Sequence, residues 1–126
     1  MDVQLDWDIE PSVVAGRFDE FLDAVERELQ TEVDAVVELI ASDAQSNAPV
    51  DTGELRDSIE AVMEEASELI IRGAIEVGAE HGVYQEFGTI HMPAQPYLAP
   101  ALDANREELI SRSEQAITRA AKQVFG

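Results

Sequence analysis

Residues 3–9 alternate without a break, with Val3, Leu5, Trp7 and Ile9 on one face and Gln4, Asp6 and Asp8 on the other. A period of two predicts a half-buried strand. Pro11 and Gly16 then mark a turn or the first turn of a helix. From Phe18 the period changes to threes and fours, through Phe21, Leu22, Val25, Leu29, Val33, Val36, Val37, Ile40 and Ala44. One continuous stripe of this kind predicts an amphipathic helix of about thirty residues ending at Asn47, its apolar face turned to a core. Ala48-Pro49 stops it, because a residue before proline is steered away from helical backbone.

Asp51-Thr52-Gly53-Glu54 reads as a capping box, with Asp51 as N-cap and Glu54 at the third helical position, opening a short turn through Leu55 and Ile59. Residues 59–66 and 69–78 read as two strands, joined by a turn at Ser67-Glu68. Alternation in the first is imperfect, which leaves its register open. Glu80 to Gly88 predicts a short helix ended by Gly88 at positive φ. Three prolines between His91 and Pro100 forbid regular structure, although a short strand fits at 89–92. A last helix is expected from Pro100 to about Phe125, with Leu102, Leu109, Ile110, Ala116, Ile117, Ala120 and Val124 roughly in phase. The order predicts a single α+β domain over residues 1–126, a small antiparallel or mixed sheet packed on a long N-terminal helix and a C-terminal helix.

Charge narrows the function classes. The chain has 27 acids against 8 bases, a formal net charge of −19 and no cysteine. A pI near 4.1 argues against a surface that grips nucleic acid. Lack of cysteine excludes disulfides, thiolate zinc sites and a thiol nucleophile. No apolar run approaches a membrane span, and Asp2, Asp6 and Asp8 do not suit a signal peptide, so a soluble protein kept inside a cell or particle is expected. Lys122 is the only lysine. Lysine depletion beside excess acid suits a salt-saturated cytoplasm, where screening relieves self-repulsion. Residues 100–126 are neutral, four acids (Asp103, Glu107, Glu108, Glu114) against four bases (Arg106, Arg112, Arg119, Lys122), so the earlier residues carry the whole −19. A neutral tail on so acidic a chain predicts a contact surface.

Candidate chemistry is sparse. His81 and His91, flanked by Glu80 and Glu86, fit no metal-ligand spacing. Glu64/Glu65 and Glu107/Glu108 are sequence neighbours and point apart. Gly78 and Gly82 do not form a phosphate-cradling loop, and no serine sits in a nucleophile elbow. No catalytic, cofactor-binding or metal site is expected.

Two polar segments at the ends of the long helices stand out. The first is Ala48-Pro49-Val50-Asp51-Thr52-Gly53-Glu54-Leu55-Arg56-Asp57-Ser58-Ile59. The second is Tyr84-Gln85-Glu86-Phe87-Gly88-Thr89, continuing to Met92-Pro93-Ala94-Gln95-Pro96-Tyr97-Leu98-Ala99-Pro100-Ala101. Together they resemble the tail-component family of long-tailed phages of the HK-ninety-seven type, also described as tail-completion or head-to-tail joining proteins. That family pairs APVDTGxLRxSI with YxxxxEFGT and MPAQPFLxPA. The first pattern is matched in full; in the second, Tyr84 lies two residues before Glu86; in the third, Tyr97 replaces phenylalanine.

The resemblance implies a structural virion protein, not an enzyme, at the neck or tail-proximal end of a virus, assembled in the host cytoplasm. It implies a ring, hexameric to match a sixfold tail tube, between a head connector or stopper protein and the tail tube or tail terminator protein. Genomic DNA would pass through without specific binding, and no membrane is involved. The acidic, lysine-poor balance adds a haloarchaeal virus or provirus. The expected interface residues are Asp51, Thr52, Gly53, Leu55, Arg56, Glu86, Phe87, Gly88, Thr89, Met92, Pro93, Pro96, Tyr97 and Leu98. Side-chain chemistry gives each segment a plain reading too. Asp51 and Thr52 can cap a helix, and Arg56 with Asp57 or Glu54 suits a surface pair. Tyr84 and Phe87 share a helical face suited to core packing. Met92, Tyr97 and Leu98 are expected to point outward from a proline-stiffened surface loop or into an adjoining subunit. The rival classes are a small acidic binding protein, such as a DNA mimic, and a hydrolase built on His81, Glu86 and His91.

Overall fold

The first helix, α1, is described over Pro11–Asn47. The computed structural model describes residues 11–50, 53–64 and 70–126. The strand expected at residues 3–9 and the turn at Ser67-Glu68 lie outside them. α1 is followed by α2 (Glu54–Asp57), β1 (Ile59–Met63), β2 (Gly73–Val77), α3 (Gly82–Phe87) and α4 (Leu98–Phe125). The α+β expectation holds, and among the described residues the small sheet consists of two antiparallel strands, a hairpin.

α1 and α4 lie antiparallel along most of their lengths, as three links show. Phe21 meets Phe125 at 5.5 Å between ring centroids, Arg119 reaches Glu28 and Glu32, and Asn47 Nδ2 donates to the Tyr97 carbonyl at 3.2 Å. Small residues are buried on both helices: Ala24, Ala41 and Ala44 on α1, and Ala101, Ala116 and Ala120 on α4. Asn105 is the buried polar residue of the seam, and its Nδ2 donates to Asp43 Oδ2 at 2.7 Å and to the Ala101 carbonyl at 2.8 Å.

The hairpin packs against the C-terminal half of α1. Its register pairs Ile59 with Val77, Ala61 with Ile75 and Met63 with Gly73, which settles the phase that alternation left open. Ile59 is fully in the core, with Ala61, Ile75 and Val77 packed beside it. Gly73 is needed because a Cβ there would overlap the Val37 side chain. On the other face Glu60 stands directly opposite Glu76, a like-charge pair.

Several boundaries differ from expectation: α3 begins at Gly82 rather than Glu80, and α4 at Leu98 rather than Pro100. β1 is Ile59–Met63 and β2 is Gly73–Val77, with Glu64 N–H donating to the Arg72 carbonyl at 3.0 Å beyond them; residues 65–69 of the expected strands and turn lie outside the described residues. The short strand at 89–92 does not form. Those residues make a tight turn closed by Thr89 N–H donating to the Met92 carbonyl at 2.8 Å. α2 starts at Glu54, with Gly53 as its N-cap at φ 82° and no capping side chain. Glu54 therefore takes the first helical position rather than the third; Asp51 and Thr52 lie outside the described residues.

Candidate assembly surface

The motif segments meet at one end of the helix pair. α4 begins without Ser, Thr, Asp or Asn: its N-cap is Tyr97, which has no side-chain cap bond. Glu86, projecting from α3, supplies the acceptor instead. Its Oε2 accepts from Tyr97 N–H at 2.9 Å and Leu98 N–H at 3.1 Å, and its Oε1 accepts from Ala99 N–H at 2.8 Å. Pro100 follows and has no N–H to satisfy. One carboxylate thus serves the opening turn of α4, and its charge faces the positive end of the helix dipole. Burial pushes the Glu86 pKa up, but the three backbone hydrogen bonds outweigh it and hold the group below its ordinary range.

Tyr97 is a core residue, 2% exposed, and its Oη donates to the Gly82 carbonyl at 3.0 Å. Burial, and then the Glu86 charge, push its phenol above the usual range. A Cβ on Gly82 would stand 2.8 Å from Tyr97 Oη, 2.8 Å from Val77 Cγ1 and 3.4 Å from Leu55 Cδ1. Leu55, Gly82, Glu86 and Tyr97, from all three motif segments, therefore form a single joint. Gly88 keeps the loop in place at φ 76°, as expected, and a Cβ there would sit 2.8 Å from the Ala94 nitrogen.

Several expected interface residues are consequently redistributed. Tyr97, read as an outward anchor, and Leu55 are buried in their own subunit. Gly53 is buried, and Arg56 makes the surface pair foreseen for it, 3.2 Å from Asp57. Glu86 is spent on α4, Gly88 on the turn. Phe87, Thr89, Pro93 and Pro96 are exposed, Met92 and Leu98 half-buried. Tyr84 and Phe87, read as a core pair, point outward instead, Phe87 being 78% exposed. α3 has only six residues, and its buried side is taken by Gly82 against Tyr97.

What this leaves at the surface is apolar. Val83, Phe87, Leu98 and Leu102 surround an open groove of about 350 Å³ with Tyr97 in its wall, and in the following turn Ile90 is 95% exposed. From Phe87 to Leu102 the chain carries no Asp, Glu, Lys or Arg. The one acid lining the groove is Glu86, already occupied. Among the described residues no group of three or more His, Asp or Glu gathers in a way that could hold a metal ion.

The neutral C-terminal stretch finds part of its partner within the molecule. Arg119 Nε lies 3.1 Å from Glu28 and Nη2 2.8 Å from Glu32; Arg112 lies 2.7 Å from Glu108 and 3.6 Å from Glu32. Gln123 Nε2 donates to Glu28 at 2.8 Å, the leading cause of that carboxylate's lowered pKa, with Arg119 next. Composition revealed the neutrality of this helix, but only the fold could show that its arginines answer acids of α1.

Residues 13–88 match the family described as "Bacteriophage HK97-gp10, putative tail-component", which covers well over half of the chain. The chain belongs to this family. The match takes in the Ala48–Ile59 segment and the Tyr84–Gly88 core; the proline-rich segment lies beyond it. No curated protein and no solved structure matches the chain. The HK97-gp10-like family is one of structural phage tail components rather than a known enzyme family, which assigns the chain to the virion. No helix among the described residues is long and apolar enough to cross a membrane.

Proposed function

We propose that this tail component acts at the neck, as a ring that joins the head connector or stopper protein to the tail tube or terminator protein and lets DNA pass. Family membership over residues 13–88 carries the reading. The surface supports it in two ways. An apolar groove on a −19 chain, its one lining acid Glu86 already bonded to the start of α4, is where a neighbour docks with least repulsion. The remaining acidic surface is suited to a passage, because like charge keeps phosphate from being gripped. Six subunits, matching a sixfold tube, complete the ring, and the single lysine among 8 bases suits a haloarchaeal virus or provirus.

Negative-stain microscopy of the purified protein at ~3 M KCl, where the Debye length is below ~3 Å, tests the ring. Closed rings with a central hole are expected; particles without a hole count against the reading. In infected cells, loss of the gene should yield filled heads and free tails. Normal tails on empty heads would move the protein to another station.

A further inference from the structure

The apolar groove has a charged neighbour. Val77, in its wall, is shared with a second open cleft of about 510 Å³, whose lining includes Ser58, Glu60 and Glu76. The two glutamates stand directly opposite each other on the paired strands, and like charges so placed repel. Among the described residues neither makes an ion pair. An apolar hollow therefore adjoins a pair of acids that lacks a cation. The occupant that matches both carries a large aliphatic side chain with a basic group close beside it.

The far end of β2 presents that combination. Ile70 is exposed. Arg72, also exposed, follows two residues later, at most about 7 Å along the chain. It is the one arginine whose side chain has no hydrogen-bond or ion-pair partner among the described residues. Glu64, whose N–H bonds the Arg72 carbonyl, makes no ion pair with it. Between the two patches lies the length of β2, Gly73–Val77, roughly 13 Å at ~3.3 Å per residue. One subunit thus holds two complementary halves of a contact apart from each other.

We propose that Ile70 of one copy of the chain enters the groove between α3 and α4 of a second copy, while Arg72 reaches the Glu60 and Glu76 pair of that second copy. Groove packed on groove about a two-fold axis would leave both acid pairs without a cation. A contact of unlike halves repeats from copy to copy and closes into a ring where the rotation permits. The inference rests on the reading that copies of the chain assemble, and it names the surfaces that meet.

The natural chain has no cysteine, which makes a disulfide test clean. Ile70→Cys protein mixed with Val83→Cys protein at ~3 M KCl under mild oxidation should form a disulfide between the two, identified by mass spectrometry of the linked peptides. Val83 lines the groove and is exposed, so neither change touches the core. Either variant oxidised alone should link no faster than a control with Ser111→Cys on the exposed surface of α4. Charge reversal supplies the second reading, at ~1 M KCl, where a Debye length of ~3 Å silences exposed charges but not a pair buried in a contact. There Arg72→Glu should weaken association roughly tenfold and the further change Glu76→Arg should restore most of it, both variants keeping the natural helical circular dichroism. Loss of that signal in Arg72→Glu would make Arg72 part of its own subunit's fold and refute the contact. Val83→Cys protein that links to itself as fast as the mixture would replace it with a groove-on-groove dimer. Oligomers lacking either the mixed disulfide or the charge rescue would overturn this contact and leave the assembly reading intact. A chain that sediments as a single copy at every concentration and salt would overturn both.

Discussion

Glu86 sits on α3 but serves α4, and that displacement makes it the most informative single side chain. Replacing a helix-capping acceptor costs about 0.5–2 kcal/mol. Glu86→Gln keeps one acceptor oxygen and loses the charge, so a loss of ~1 kcal/mol is expected, read as a melting temperature lower by ~3–6 °C. Folding lowers this pKa, so the stabilisation is complete above the unfolded value of 4.5 and disappears as pH falls through the lower folded value. The natural protein should therefore lose stability in acid more steeply than Glu86→Gln does; parallel profiles would remove Glu86 from that role. Tyr97→Ala should be far more damaging, by ~3–5 kcal/mol, because it empties a core site. Phe87→Ala, at a mostly exposed ring, should leave the melting temperature nearly unchanged. These two variants separate what holds the subunit together from what is offered to a neighbour.

At the scale of elements, the two long helices were legible from their three-and-four spacing and nearby stops, whereas the hairpin showed as two strands whose imperfect alternation left the register open. Pro49 ends α1 as its chemistry requires, and Gly88 takes the positive φ expected of it. The joint between the motifs was harder to read. Tyr97 resembles a loop anchor in sequence because three prolines surround it, and only the closeness of Gly82 shows that its ring points inward. Glu86 acts across eleven residues on the Tyr97 N–H, beyond any local capping rule. A trace was nevertheless present, since a helix opening at Tyr97-Leu98-Ala99-Pro100 has no cap of its own and requires an acceptor from elsewhere. The links from Arg112 and Arg119 to α1 were likewise visible only as a neutral stretch. Arg119→Ala removes both contacts to α1 acids, but the group is partly solvated, so a loss of only ~0.5–1 kcal/mol at low salt is expected. Melts repeated at high salt should show a smaller difference.

For the whole molecule, repulsion among 27 acids dominates at low salt, and the facing Glu60 and Glu76 show that it reaches into the sheet. Melting at ~0.1 M and ~3 M KCl should show a higher transition in the concentrated salt, because the Debye length falls from ~10 Å to below ~3 Å. Equal transitions would remove the halophilic origin while leaving family membership untouched. The antiparallel pairing of α1 with α4 has a further bearing, on how the chain is made. Bonds such as Arg119 to Glu28 join residues 91 apart in sequence, so the first helix synthesised has to wait for the last. At ~5–20 residues per second, about 4–16 s pass between completion of α1 and completion of α4. Throughout that interval the face of α1 that meets α4 is uncovered on the ribosome, and a nascent chain halted before α4 should be a client for chaperones and a seed for aggregation.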